Sequence, residues 1–295
     1  MDTTAWIMGK RNHLRLANAA AITYDADYAQ TAYATRCYME FEERALRGAA
    51  EDAPDHRLAL DLGCGTGRLS RVLAEQFTRV WGCDLSPVMV EQARRSSSGG
   101  QGIAYTIHDV EKGHLPFNRN CVDLVNAGFG LFSFVWDSER FVADVRRVLR
   151  PGGLFTLSCY NAGVLPLPSE TPWVPAINAR VDVQGGRVTH DGATHWINAR
   201  AFSPQQVRAL LEPAFEVEAV VCLPTLAAVL PAALVEDTRV RALCAAMDVA
   251  VAFREDLAAG VYLWIRARKR GKRKKKNRAT ICDRLPVRKA DDSPP

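Results

Sequence analysis

The sequence predicts an α/β domain in which strands and helices alternate along the chain. An apolar segment, Leu58–Leu62, is followed at once by a glycine-rich turn and then by apolar residues at helical spacing. A second apolar strand ends at Asp84, and a third covers Ile103–Ile107. The chain has 295 residues, of which 48% are hydrophobic, so it can bury one large core with a cover.

The first 56 residues are expected to form a helical cover and a linker. Residues 1–18 are mixed in composition and predict no ordered element. Residues 26–50 are rich in helix formers and predict one long helix. Pro54 marks the linker that follows.

Three glycines alternate in the turn after the first strand, at Gly63, Gly65 and Gly67. Glycine tolerates a positive φ and lets a ligand approach the backbone without a Cβ in the way. The first N–H groups of the following helix have no partner within that helix, so a polar or anionic ligand would satisfy them. This pattern indicates a nucleotide site.

The second strand ends in an acid, Asp84, which lies 21 positions after Gly63. A carboxylate there can accept hydrogen bonds from both hydroxyls of a ribose, each contributing about 1.5–3 kcal/mol. The alternative is that Asp84 caps the helix that begins at Ser86–Pro87. Together with the glycine turn, the ribose role is favoured.

The segment Asp61–Gly67 resembles the nucleotide-binding motif of class I S-adenosylmethionine (SAM)-dependent methyltransferases, because its third glycine lies two positions after the second. Further family features follow in order: Asp109 after the third strand, Leu115–Phe117 before the fourth, and Leu149–Gly153 before the fifth. The resemblance covers residues 59–160 and is closest to the small-molecule type 11/25-like domains. It implies a Rossmann-like sheet of seven mostly parallel strands with helices on both faces, an N-terminal helical cover, and a lid insertion after strand five.

The resemblance implies SAM as the cofactor and assigns its binding residues. In this family an acid at the position of Asp109 hydrogen-bonds the adenine amino group, whereas Asp123 is expected to be structural. The cofactor-binding residues implied are Asp61, Gly63, Cys64, Gly65, Gly67, Asp84, Leu85, Asp109, Val110 and Asn126.

The loop after the fourth strand, residues 126–132, favours a small acceptor. Enzymes that methylate nucleic-acid bases commonly carry an Asn/Asp-Pro-Pro-aromatic loop or a nucleophilic cysteine in the site, and this loop has neither proline nor cysteine. Its aromatic residues suit an apolar or aromatic acceptor, or they pack in the core. The candidate substrate-binding residues are Phe129 and Phe132 of this loop, together with Tyr24 and Tyr28 of the expected N-terminal cover. In the family that the chain resembles, a tyrosine of this cover can face the sulfonium or the substrate, and the alternative is that the two tyrosines pack against the helix.

The sequence does not identify a catalytic base. His195, His190 and Tyr160 are the candidates, because they lie in or beside the expected lid. A single histidine in a strand also has a structural explanation. The site is predicted to need no metal, since no cluster has metal-ligand spacing.

The methyltransferase domain is expected to cover residues 57–265, with the lid insertion at about residues 161–202. Within the insertion, residues 179–190 predict a β-hairpin. Ser203 predicts a helix start, with Pro204 first and Gln206 third in the helix. Residues 215–222 and 260–265 are predicted to pair as the last strands, with a helix at about 235–252 between them.

Positive charge is concentrated near the end of the chain. Residues 266–278 contain ten Lys or Arg and no acid, so the rest of the chain carries a formal net charge of −5, although the total is +5. Residues 266–295 predict a solvated, disordered tail. The alternative is that 266–278 bind RNA or another anionic surface.

The eight cysteines include no C-x-x-C pair, and the apolar run from Val220 to Val235 is interrupted by Pro224 and Pro231. These features predict a cytoplasmic protein without disulfides or a transmembrane segment. The favoured function is a SAM-dependent methyltransferase with a small-molecule acceptor. The alternatives are an RNA or protein methyltransferase that docks through the basic tail, and a SAM-binding protein without catalysis. The sequence determines neither the acceptor atom nor the oligomeric state.

Overall fold

The computed structural model describes residues 3–29, 33–97, 102–165, 180–182, 187–190, 193–196 and 199–271. Its centre is a sheet of seven strands in the order β10-β11-β5-β4-β1-β2-β3. The strands are β1 (Leu58–Leu62), β2 (Arg79–Asp84), β3 (Ile103–Ile107), β4 (Val122–Ala127), β5 (Leu149–Asn161), β10 (Phe215–Leu223) and β11 (Tyr262–Lys269).

The first five of these strands are parallel, and β11 is antiparallel to both of its neighbours. A short strand, β9 (Ala201–Phe202), pairs with the end of β5. The predicted seven-stranded, mostly parallel sheet is confirmed. Because the parallel strands all end at one edge, the turns after β1, β2, β3 and β4 meet there.

Helices cover the sheet and extend around that edge. In chain order they are α1 (Thr3–Ala20), α2 (Tyr24–Ala29), α3 (Tyr33–Glu51), α4 (Arg68–Ala74), α5 (Pro87–Ser96), α6 (Ser138–Val148), α7 (Pro204–Leu211), α8 (Leu226–Val229), α9 (Ala232–Val235) and α10 (Thr238–Val251). Ser203 caps α7 in a reciprocal capping box with Gln206, as predicted.

The prediction that residues 1–18 form no ordered element was wrong, since most of them belong to α1. Local sequence did not reveal this helix because distant residues hold it: Lys10 Nζ lies 2.7 Å from Asp109, and Asn18 accepts a hydrogen bond from Ser86. The single helix predicted over 26–50 is instead two helices, α2 and α3, and residues 30–32 between them lie outside the described residues.

The insertion after β5 contains a second sheet. Strands β6 (Arg180–Asp182) and β7 (Arg187–His190) pair antiparallel, as the hairpin prediction required. Strand β8 (Ala193–Trp196) pairs with β7 and lies against α1. The side chains of residues 166–198 lie outside the described part of the structure.

The last strand continues beyond the predicted boundary at residue 265. Arg266 is 5% exposed within β11. Its guanidinium lies 2.9 Å from Asp52 and 2.7 Å from Glu218, and these two carboxylates allow a cation to pack inside the sheet. The basic tail was therefore predicted to begin too early, and its residues 272–295 lie outside the described residues.

Asp123 is structural, as predicted. Its carboxylate accepts hydrogen bonds from the backbone N–H groups of Arg57 and Leu58 and lies 2.8 Å from Arg150. Within the described ranges, no helix is both long and apolar enough to cross a membrane. No group of three potential metal ligands occurs among the same residues.

Candidate active site

The glycine turn between β1 and α4 opens into a cleft at the carboxyl edge of the sheet. Gly63, Gly65 and Gly67 all have positive φ, at 65°, 53° and 83°. A Cβ on Gly67 would stand 2.4 Å from the hydroxyl of Tyr105, whereas a Cβ on Gly65 would meet no atom within 4 Å. The turn therefore needs glycine at 67 for packing, and at 65 it leaves open space where a ligand can approach the backbone.

Asp84 joins the end of β2 to the glycine turn. Its Oδ2 accepts a hydrogen bond from Gly65 N at 3.0 Å, and its Oδ1 accepts one from Ser86 N at 2.8 Å. Burial raises the pKa of this carboxyl, and the backbone donors oppose that effect. The helix cap at this point is Ser86, which accepts from Met89 N, so Asp84 is not the N-cap.

Asp61 lies at the base of the cleft, one residue before the end of β1. It is 1% exposed and accepts hydrogen bonds from Ser70 at 2.6 Å and Asn126 at 2.8 Å. Burial raises its pKa to about 6. Asn126 does not line the cleft: it lies beneath Asp61 and accepts a hydrogen bond from Thr156, so the structure does not support its assignment to the cofactor.

Asp109 follows β3 and lies on the same wall of the cleft, with Leu85 and Val110 beside it. Lys10 Nζ lies 2.7 Å from both Asp109 and Glu111. Of the predicted cofactor residues, all except Gly67 and Asn126 thus line the cleft. Cys64 also lines this wall, and burial raises the pKa of its thiol, so the sulfur is not a nucleophile at neutral pH.

Sequence reasoning missed the wall formed by α1. Trp6, Lys10, His13, Ala17 and Ala20 line the cleft from this helix. Their spacing of four, three, four and three residues is that of one helical face, which was the available signal. It was obscured because the stripe contains a lysine and a histidine among the apolar residues.

A series of aromatic rings, which we call the aromatic arc, lines the cleft. Its rings contact one another in series, with centroid separations of 4.2, 5.9, 5.4, 6.1, 5.3 and 4.5 Å. The members of the aromatic arc, in order of contact, are His13, Phe134, Tyr160, Tyr262, Phe129, Tyr28 and Tyr24. Five separate segments contribute to this surface, so only the folded chain assembles it.

The aromatic arc is uncharged at neutral pH. Burial raises the pKa of Tyr24 to about 12 and raises those of Tyr28, Tyr160 and Tyr262. Burial and the neighbouring Lys10 lower the pKa of His13 to about 4. The lining of the cleft therefore combines carboxylates with a neutral aromatic surface.

Three predicted acceptor residues, Tyr24, Tyr28 and Phe129, lie in the aromatic arc, and one does not. Phe132 is fully buried between Phe141 and Phe202 and belongs to the core, because the 3₁₀ turn at Leu131–Phe134 directs it inward. Among the candidate bases, Tyr160 lines the cleft. The backbones of His190 and His195 lie in β7 and β8, but their side chains lie outside the described residues.

The residues present suit a cationic nucleoside such as SAM. The cleft is lined by four carboxylates and two cations, and this excess of negative charge favours a ligand with a net positive charge. The charged residues are Asp61, Asp84, Asp109, Glu111, Lys10 and Arg68. The open position at Gly65 lets the ligand approach the turn closely. Asp84 also retains acceptor capacity for a hydroxyl donor, because its carboxylate has about four lone-pair sites and accepts from three backbone N–H groups, those of Gly65, Leu85 and Ser86.

Comparison with known proteins also indicates a methyltransferase domain. Residues 60–157 match a family described as a methyltransferase domain. The chain is 36% identical over 143 residues to the ubiquinone/menaquinone biosynthesis C-methyltransferase UbiE of Acidiphilium cryptum, which is 45% of this chain and 56% of that protein. It is 34% identical over 148 residues to the malonyl-[acyl-carrier protein] O-methyltransferase of Serratia marcescens, which is 50% of this chain and 51% of that protein.

The chain thus spans about half the length of these curated relatives. A solved DhpI–SAH complex has a similar fold, with a TM-score of 0.56 and 17% identity over 90% of this chain and 98% of that chain. The matched family segment contains the glycine turn, Asp84 and Asp109, which are the residues that the fold brings to one wall of the cleft. On these grounds residues 60–157 form a methyltransferase domain of the class I SAM-dependent type.

Proposed function

We propose that this protein transfers the methyl group of SAM to an uncharged small molecule that is largely apolar or aromatic. The observation that carries the proposal is the aromatic arc, which lines the cleft and bears no charge at neutral pH. Such a wall favours an apolar ring or chain and disfavours an anion, which would be desolvated without a partner.

Each carboxylate has a proposed role in holding the cofactor. Asp84 accepts hydrogen bonds from the ribose hydroxyls, and Asp109 accepts one from the adenine amino group. Asp61 favours the positive charge of the ligand, and Gly65 admits it to the turn. When bound, SAM supplies both the methyl group and a neutral thioether leaving group.

The protein's contribution to the reaction is chiefly positional. The aromatic arc orients the acceptor and excludes water, so that the nucleophile is held in line for displacement. His13 is neutral at pH 7 and lines the same cleft, so its imidazole can accept a hydrogen bond from an acceptor hydroxyl, but its lowered pKa makes it a weak base. Tyr160 stays protonated because burial raises its pKa, so it serves as a hydrogen-bond donor and not as a base.

The relatives support a small acceptor without identifying it. One is named for a C-methyl transfer in quinone biosynthesis and the other for an O-methyl transfer to a malonyl-[acyl-carrier protein]. Because the chain spans only about half of each, the acceptor of this protein is a proposal of its own.

The test is to supply the purified protein with methyl-radiolabelled SAM and an extract of the host cell. Label is then counted in the small-molecule, RNA and protein fractions. We expect label in small molecules only, and its loss in Asp84→Ala. Glu91→Ala, which removes an exposed carboxylate from α5, is the matched control and should retain the activity.

Two results would overturn the proposal. Label in RNA or protein that depends on Asp84 would make the acceptor a macromolecule. SAM binding without label in any fraction would favour a binding protein without catalysis.

A further inference from the structure

A second cleft lies along α6 and is strongly basic. The residues that give it charge are Arg119, Arg140, Arg146, Arg147, Lys269 and the carboxylate of Asp144. We call this surface the basic cleft. Its charge contrasts with the formal net charge of −5 that the chain carries outside residues 266–278.

Three separate elements build the basic cleft. Arg140, Asp144 and Arg147 lie on one face of α6, at positions i, i+4 and i+7. Arg119 comes from the turn before β4, and Lys269 ends β11. The cluster is therefore a product of the tertiary fold.

Most of this charge has no counter-ion among the described residues. Arg140 donates to the backbone carbonyls of Glu111 and Gly113, and Lys269 donates to the carbonyl of Leu149. Carbonyl groups satisfy the N–H donors but do not cancel the positive charge. Among the Lys and Arg residues of the basic cleft, only Arg147 forms an ion pair within the part of the chain that the structure describes, with Asp144 at 2.6 Å.

The cations also crowd one another. Burial, and then the charges of Arg146 and Arg119, lower the pKa of Lys269. The side chains of Arg119 and Arg146 are both exposed, and neither guanidinium makes a hydrogen bond or ion pair with another described residue. A bound anion would relieve this repulsion, which is the physical reason to expect one here.

The basic cleft is at the opposite edge of the sheet from the glycine turn. Arg119 precedes β4 and Arg146 precedes β5, whereas the active-site cleft lies where the parallel strands end. The six residues of β4 separate the two edges by about 20 Å, at about 3.3 Å per residue. A ligand of the basic cleft therefore does not occupy the acceptor position.

We propose that the basic cleft binds the phosphate backbone of single-stranded RNA. Guanidinium groups match phosphate in a bidentate geometry, and the arginines spaced along α6 can follow a strand over about 10 Å. The five cations and one carboxylate of the basic cleft leave a net charge of +4, which exceeds that of a single phosphate, so the charge suits a polyanion.

A membrane is the other anionic partner to consider, and the lining disfavours it. The exposed large hydrophobic residues of the described chain, which include Ile7, Leu243 and Met247, lie elsewhere, and none of them lines the basic cleft. The surface thus lacks the apolar residues that would insert between lipids.

The experiment measures fluorescence anisotropy of a labelled 20-nucleotide uridine RNA with the full chain, at several salt concentrations. The test variant is Arg119→Glu/Arg146→Glu, because both side chains are exposed and unpaired among the described residues. The control is Arg44→Glu/Arg95→Glu, which makes the same change in net charge at exposed positions of α3 and α5. Thermal unfolding and SAM binding check that each variant folds.

We expect the cleft variant to raise the Kd for RNA at least tenfold at about 0.1 M salt, and the control to raise it by no more than about threefold. The slope of log K against log salt should fall by about 1.4 in the cleft variant, since each phosphate contact contributes about 0.7 for a single strand. Equal weakening in the two variants would overturn the proposal, because overall charge would then explain the binding. The proposal would also be overturned if the cleft variant lost its binding to phosphatidylserine vesicles while its binding to RNA was unchanged.

Discussion

The carboxylate of Glu42, which is fully buried, accepts a hydrogen bond from the guanidinium of Arg68 at 2.7 Å. This pair links the cover helix α3 to the first residue of α4, directly after the glycine turn. The other oxygen of Glu42 accepts from Phe129 N at 2.6 Å, and the Cζ of Arg68 lies 5.3 Å from the Phe129 ring centroid. Phe129, whose φ is +47°, is thus held through both its backbone and its ring.

We predict that Glu42→Ala lowers the free energy of unfolding by about 3 kcal/mol, at the low end for breaking a buried ion pair, because Arg68 retains Glu43. Urea unfolding followed by circular dichroism measures the change. Glu40→Ala removes an exposed carboxylate from the same helix and should change stability by no more than about 0.5 kcal/mol. Equal losses in the two variants would contradict a special role for the buried pair.

Gly65→Ala should weaken SAM binding at least tenfold, because the new methyl group would occupy open space in the cleft beside the glycine turn. Gly113→Ala is the matched control, since Gly113 also has a positive φ and open space but lies outside the cleft. Both variants should lose about 1 kcal/mol of stability from backbone strain. Isothermal titration calorimetry would contradict the assignment if the two bound SAM equally well.

SAM affinity should rise about tenfold between pH 5 and pH 7. A cationic ligand favours the ionised form of Asp61, whose pKa in the folded protein is raised to about 6, so protonation competes with binding below that pH. Asp61→Asn should flatten most of this dependence. Asp84, whose pKa burial also raises, supplies the remainder. An unchanged pH profile in Asp61→Asn would show that Asp61 does not face the cofactor.

His13 should make the protein less stable as the pH falls from 6.5 to 4. Its pKa is lowered to about 4 in the folded state, so the unfolded chain binds the proton more readily over this range. Asp61 has the opposite effect, since its raised pKa gives stability that is lost as the pH rises through about 6. Single variants are therefore needed to separate the two.

His13→Phe keeps a ring against Phe134 and should remove the part of the pH dependence that comes from His13. Phe134→Leu loses the ring contact of 4.2 Å but keeps the imidazole, so the acid-side decline should persist in that variant. Urea unfolding midpoints at pH 5 and pH 7 make the comparison. If the unfolding midpoint of His13→Phe fell as much between pH 7 and pH 5 as that of the unmodified protein, the decline in stability would come from another group.

The sequence by itself determined the sheet and the carboxylate wall of the active site. Apolar strands, the glycines of the turn and the acids at the strand ends are local features, and parallel strands bring their carboxyl ends to one edge without further information. For that reason the sequence could predict that Asp61, Asp84 and Asp109 meet in one cleft, whereas their contacts with the cofactor stay a prediction.

Only the tertiary structure decided how the aromatic arc is assembled. The aromatic arc joins His13 near the start of the chain to Tyr262 in the last strand, and contacts between such distant segments leave no periodic signal in the sequence. Phe129 and Phe132 lie three residues apart in one loop, yet the first lines the cleft and the second is in the core, because a 3₁₀ turn separates them. In the same way, the burial of Arg266 and the assembly of the basic cleft depended on which acids and cations the neighbouring strands and helices brought beside them.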